Sequence, residues 1–198
     1  MRCALLVGLV VAASVAAQGD KPRELTESEL LAIVNAEPPG FPADLKGGKQ
    51  RSPDGVEVFI PTGWTTASGR DRHMIAVPPG GTTAQGSDGR MVAVPKRWTS
   101  AMGRDGRMVA IPPAGQAAMG TNGRMVSVPK GWTSAMGRDG QMAAIPPGGS
   151  AVMGTDGRMV AVPKGWTQQM GRNGRIVAIP PGYRAVPNAG GGLDVVKP

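Results

Sequence analysis

The chain of 198 residues has a single cysteine, Cys3, a single histidine, His73, and no leucine between Lys46 and Gly192. These absences remove whole classes of function. With one thiol no disulfide framework can form, and His73 alone supplies neither a histidine-rich metal site nor an ordinary triad. No GxSxG and no phosphate-binding loop occurs, and the aspartates are mutually equivalent turn residues, so the reading is of a protein that is not an enzyme. Aromatic residues make up 4%, which limits any thick core. The one apolar run, Ala4 to Ala13, is shorter than the roughly 20 residues a spanning helix needs. With Arg2 before it and the small residues Val15 and Ala17 after it, residues 1–17 read as a secretory signal cleaved before Gln18. The expected location is secreted or at the extracellular surface, with no transmembrane segment after cleavage. No Asn-X-Ser/Thr sequon is present.

What is abundant is order of another kind. A 17-residue phrase runs through eight copies without an insertion, opened by Asp54, Asp71, Asp88, Asp105, Asn122, Asp139, Asp156 and Asn173. Each copy closes on proline, from Pro61 through Pro180. Trp64, Trp98, Trp132 and Trp166 recur only in every second phrase, so the eight phrases pair into four modules. Such self-similarity predicts a repeat architecture over 54–187.

Within Trp98 to Pro113, two short runs, Trp98 to Met102 and Arg107 to Ile111, flank Gly103-Arg104-Asp105-Gly106. Asp-Gly or Asn-Gly between such runs signals a tight hairpin turn in which both residues tolerate positive φ. Seven of the eight phrases have it, and Arg72 replaces the glycine in the other. The proline-glycine punctuation excludes helix through the repeats. The fold class is therefore all-β, an array of β-hairpins of solenoid type with a thin interior of Val, Ala and Met; a four-bladed propeller-like ring is the alternative. Ahead of it, residues 18–53 read as a short helix and a Pro/Gly linker. The helix is announced by a capping box at Thr26 to Glu29 and ends near Asn35, and Phe41 and Leu45 are docking points for the first repeat. Residues 188–198 read as a flexible tail with room for a short terminal strand.

From Asp54 to Pro187 there are fifteen Lys or Arg against seven Asp or Glu, a surplus of eight that equals the net charge of the chain. Outside a cell this favours an acidic polysaccharide or another anionic polymer over nucleic acid. The candidate ligand-binding residues are Trp64, Trp98, Trp132 and Trp166, whose indoles can stack on sugar rings, with Arg70, Arg104, Arg138 and Arg172 as planar donors to carboxylate or sulfate. The competing use of the tryptophans is structural: each covers the gap left by Gly81, Gly115 or Gly149 in the facing phrase. Lys96, Lys130 and Lys164 form another column, and Arg90, Arg107, Arg124, Arg158 and Arg175 a third, which invites anions between stacked like charges. No metal and no cofactor is expected, because one carboxylate per turn offers too few oxygens for calcium and the methionines read as strand packing.

Phrases such as Asp156-Gly157-Arg158-Met159 followed by Gly165-Trp166 resemble the hairpin repeats of choline-binding and glucan-binding surface proteins. Asp105 to Pro113 also resembles WG-type repeats. The resemblance implies stacked hairpins and a binding role. The expected function is a noncatalytic secreted repeat protein binding an extended polymer such as a glycan, with self-association into a coat or matrix as the alternative.

Overall fold

The computed structural model describes residues 25–35, 41, 42 and 44–198, so residues 1–17, read from the sequence as a secretory signal, lie outside the described residues. Helix α1 is Glu27–Asn35. Its capping box forms as the sequence indicates: the Glu29 amide donates to Thr26 Oγ1 at 3.3 Å, and the Thr26 amide donates to Glu29 Oε2 at 2.9 Å. Ile33 is buried, and the helix packs on the second strands of two hairpins, β6 and β8 below.

All other regular structure among the described residues is β. In chain order the hairpins are β1 Gly47–Arg51 with β2 Glu57–Pro61, β3 Thr65–Ser68 with β4 Met74–Val77, and β5 Thr82–Gln85 with β6 Met91–Val94. Next come β7 Thr99–Met102 with β8 Met108–Ile111, β9 Gln116–Met119 with β10 Met125–Val128, and β11 Thr133–Met136 with β12 Met142–Ile145. The last three are β13 Ser150–Met153 with β14 Met159–Val162, β15 Thr167–Met170 with β16 Ile176–Ile179, and β17 Arg184–Pro187 with β18 Leu193–Val196. Each pair is its own two-stranded antiparallel sheet. A propeller blade needs four paired strands, so the four-bladed alternative is set aside in favour of the solenoid-like array.

The series extends past the phrases at both ends. Strand β1 falls in the segment read as linker, and β18 in the segment read as tail. β1 is exposed along its whole length and owes its extended form to pairing with β2, so its own side chains announce nothing. The ninth turn replaces Asp-Gly with Asn188-Ala189-Gly190-Gly191, in which Gly191 takes φ 73°.

The chain divides into two compact units, residues 1–101 with 106–112 and residues 102–105 with 113–198. In the first, the second strands β2, β4, β6 and β8 lie against one another in order; in the second, β10, β12, β14 and β16 do the same. These strands form the core. Val92, Ala93 and Val94 are all buried, as are Val109, Ala110 and Ile111, so both faces of the strand are covered and alternation disappears. The first strands carry the exposed Thr, Ser and Gln.

The hairpin turns differ from the expected geometry in one respect. In Gly86-Ser87-Asp88-Gly89, Gly89 donates to Gly86 O at 3.1 Å and only Gly89 is left-handed, at φ 89°. The aspartate stays at negative φ because its Oδ1 accepts the amide two positions on, at 3.0 Å from Arg90. The turn is therefore a four-residue one with a single left-handed glycine.

Successive turns then stack. Asp88 N donates to Gly106 O in the first unit, and Asp139 N donates to Gly157 O at 3.2 Å in the second. This close approach explains the leading glycine of the turn. A Cβ on Gly137 would stand 2.6 Å from Gly157 O, and one on Gly120 would strike Gly140 O.

Candidate binding edges

A hairpin has two ends, and the chemistry divides between them. Trp132 immediately precedes Thr133, which pairs with Ile145 at the open end; Arg138 follows Met136, which pairs with Met142 at the turn end. The length of a four-residue strand, about 13 Å, separates the two ends. The structure therefore does not assemble the expected Trp and Arg residues into one site. In the first unit Trp64 and Trp98 stand at open ends and Arg70 at a turn end. In the second, Trp132 and Trp166 stand at open ends and Arg104, Arg138 and Arg172 at turn ends.

At the open edge each tryptophan is set by a tight turn. Trp64, Trp98, Trp132 and Trp166 donate their amides to Pro61, Pro95, Pro129 and Pro163 O at 3.0–3.1 Å. The residue before the indole is left-handed: Gly63, Gly131 and Gly165 suit this, and Arg97 adopts it at φ 70°. All four indoles are half-buried. Trp98 packs against the cluster of Val92, Val94 and Ala110, while Trp64 meets Phe41 edge-on at 6.2 Å, and Phe41 in turn meets Phe59 at 5.1 Å. At Gly81 and Gly149 of the alternate phrases, the space a side chain would take is already filled by backbone. A Cβ on Gly149 would lie 2.8 Å from Val162 O and 3.0 Å from Pro146 O, so its space is occupied by its own hairpin and turn.

Trp132 lines a half-open cleft of about 370 Å³ with Lys130, Gln116, Thr133 and Ser134. The same positions recur in the next module as Lys164, Ser150, Thr167 and Gln168 beside Trp166. Lys96 and Lys164 lay their stems over Gly80 and Gly148, at 3.4 and 3.2 Å from where a Cβ would stand. Both lysines are exposed and make no ion pair among the described residues. Tyr183, exposed, takes the tryptophan slot one phrase after Trp166, where glycine alternates elsewhere. Counting by the single phrase rather than the module marks it as a ninth-hairpin member of this edge.

At the turn edge, Arg70, Arg104, Arg138 and Arg172 are exposed and make no ion pair among the described residues. The third arginine column behaves differently. Arg90, Arg107, Arg124, Arg158 and Arg175 each place Nε 3.8–4.0 Å from the carboxylate of the preceding turn, on Asp71, Asp88, Asp105, Asp139 and Asp156 respectively. The anions between these stacked charges are thus the protein's own. The pairing keeps one fixed offset, two positions longer than the phrase, and has a signature in the sequence. Where the turn acid becomes Asn122, the position paired with it is Gln141; for Asn173 it is Gly192, and for Asp54 it is His73. His73 Nδ1 lies 2.8 Å from Asp54 Oδ2, and this contact first, with Ser52 beside it, holds the Asp54 carboxyl down to about 2.

Among the described residues there is no cluster of three His, Cys, Asp or Glu side chains that could hold a metal, and no helix is long and apolar enough to cross a membrane. No known protein family matches the chain, and no curated protein or solved structure is similar to it.

Proposed function

We propose that the chain is a secreted, noncatalytic hairpin-repeat protein that binds an extended extracellular glycan along its open edge. The observation that carries this reading is the cleft at Trp132, lined by a half-buried tryptophan, a lysine and the polar residues Gln116, Thr133 and Ser134. Half-burial fixes the ring by packing and leaves part of it for a sugar face, which is how an aromatic both anchors and recognises. Neutralisation of the turn-to-turn arginine pairs leaves Lys96, Lys130 and Lys164 as cations at this edge, so a uronate or sulfate polymer suits it better than a neutral one. The turn-end arginines are a second set of cations, facing elsewhere.

The test is affinity electrophoresis of the chain without residues 1–17 in gels carrying acidic or neutral polysaccharide. Retardation in the acidic gel should fall with salt and be lost in a Trp98→Ala, Trp132→Ala, Trp166→Ala variant that keeps its strand spectrum. Retardation unchanged by that variant would sink the reading. The coat or matrix alternative draws on the nine two-stranded sheets among the described residues, whose exposed first strands have an unpaired edge able to accept another strand. Fibre formation without retardation by any polysaccharide would favour it.

A further inference from the structure

Methionine ends the first strand of five hairpins, at Met102, Met119, Met136, Met153 and Met170. Packing in the strand core is the sequence-based expectation for them, and the structure corrects it. Met102, Met119, Met136 and Met170 are 40–52% exposed, more than any core role requires. The reason is their place beside the turn on the outer, first strand, outside the stack formed by the second strands.

The register sets three of them against another thioether. Met119 pairs with Met125, Met136 with Met142 and Met153 with Met159. Directly opposed residues of an antiparallel pair share a face, with Cβ atoms about 5 Å apart. Stacking adds the next hairpin. Gly137 follows Met136, and a Cβ on it would stand 2.9 Å from the Met159 amide nitrogen; Gly103 follows Met102 and lies 3.3 Å from the Met125 nitrogen by the same measure. The backbone at Met159 therefore lies beside the turn that joins Met136 to Met142. Methionine sulfur also reaches across hairpins, since Thr155 Oγ1 lies 3.9 Å from Met170 Sδ. Nearby charge is balanced, with Arg124 opposite Asp105 and Arg158 opposite Asp139.

Neutral, polarisable thioethers select soft cations and discriminate against calcium and magnesium. We propose that Met119, Met125, Met136, Met142, Met153 and Met159 bind a soft monovalent d10 cation, copper(I) or silver(I), with two or three sulfurs per ion. This does not rest on the glycan reading, because the methionines lie at the turn end and the tryptophans at the open end.

The experiment uses the full chain carrying Cys3→Ser, which removes the thiol as a rival ligand. Titration with silver nitrate in chloride-free buffer, followed by native mass spectrometry, should show saturable uptake of about two to three ions per chain. Substituting the six methionines by leucine, which conserves volume, should abolish that uptake. Equal uptake by the leucine variant would overturn the proposal. If that variant loses its strand spectrum, X-ray absorption of the copper(I)-loaded Cys3→Ser chain decides. A sulfur-only shell supports the site, and a nitrogen shell, pointing to His73, overturns it.

Discussion

Ser127 occupies a position that is alanine in β4, β6, β8, β12, β14 and β16, at Ala76, Ala93, Ala110, Ala144, Ala161 and Ala178. Its hydroxyl is buried without a hydrogen-bond partner. Ser127→Ala should therefore raise stability by about 1 kcal/mol, readable as a higher urea midpoint at unchanged slope. Backbone strain sits at Arg72, Arg97 and Ala114, which hold φ 67°, 70° and 58° in slots that glycine fills in other copies. Arg97→Gly should stabilise by about 1 kcal/mol, since only the left-handed penalty is removed. Arg72→Gly should return less. Arg72 also donates to Pro53 O at 2.9 Å, a bond the glycine variant would lose. The opposite change, Gly137→Ala, puts a methyl group against Gly157 O and should lower the midpoint by more than either substitution raises it.

At the scale of the hairpin, stability comes from the second strand and its stacking. Ile145→Ala, at a buried position in β12, should cost about 2–4 kcal/mol. The turn-to-turn ion pairs are wide, and only the arginine is half-exposed while the Asp139 side chain is 19% exposed, so Asp139→Asn, which keeps the Oδ1 acceptor, should cost about 1 kcal/mol or less and the loss should shrink in high salt. The first stacking contact has an acid limit. Asp54 titrates lower when folded than when unfolded, so its contribution is fully present above the ordinary carboxylate range near 4 and fades as pH falls toward 2. His73→Gln should raise the Asp54 midpoint toward the ordinary range, followed by carboxyl NMR of labelled aspartate. The hairpin itself was legible in the sequence because Asp-Gly, the β-branched run and the closing proline are all local. So was the capping box of α1, from Thr26 and Glu29. Strand β1 was not, because it is fully exposed and only the Asp54-Gly55 turn after it announced a hairpin; the ninth turn lacks Asp-Gly, so beyond the short terminal strand allowed for in the tail its hairpin is defined by its partners.

For the whole chain, periodicity disclosed the array but not which residues face each other. Lining up the phrases puts Asp139 over Asp156, whereas the contact that matters runs from Asp139 to Arg158, in the following phrase. Trp132 and Arg138 are close in sequence and still stand at opposite ends of a hairpin, a fact that needs the strand register. Whether an indole is wet or covered depends on how hairpins stack, which no single phrase encodes. Losing retardation in acidic polysaccharide on replacing Trp98, Trp132 and Trp166, while Arg104→Ala with Arg138→Ala leaves it largely unchanged, is the outcome expected if the two edges act separately.

The mismatch between pairing offset and phrase length also governs how the chain can change length. Each turn aspartate finds its partner in the next phrase, so every boundary between copies except the one after the Asn122 phrase cuts through a pair. Removing one phrase shifts tryptophan into the slot of glycine and joins unlike halves. Excising residues 115–148 takes out Asn122 and Gln141 together and sets Asp105 against Arg158, keeping both alternation and charge in step. Growth or loss by unequal recombination is thus constrained to two phrases at a time, and a gene of this kind drifts by whole modules.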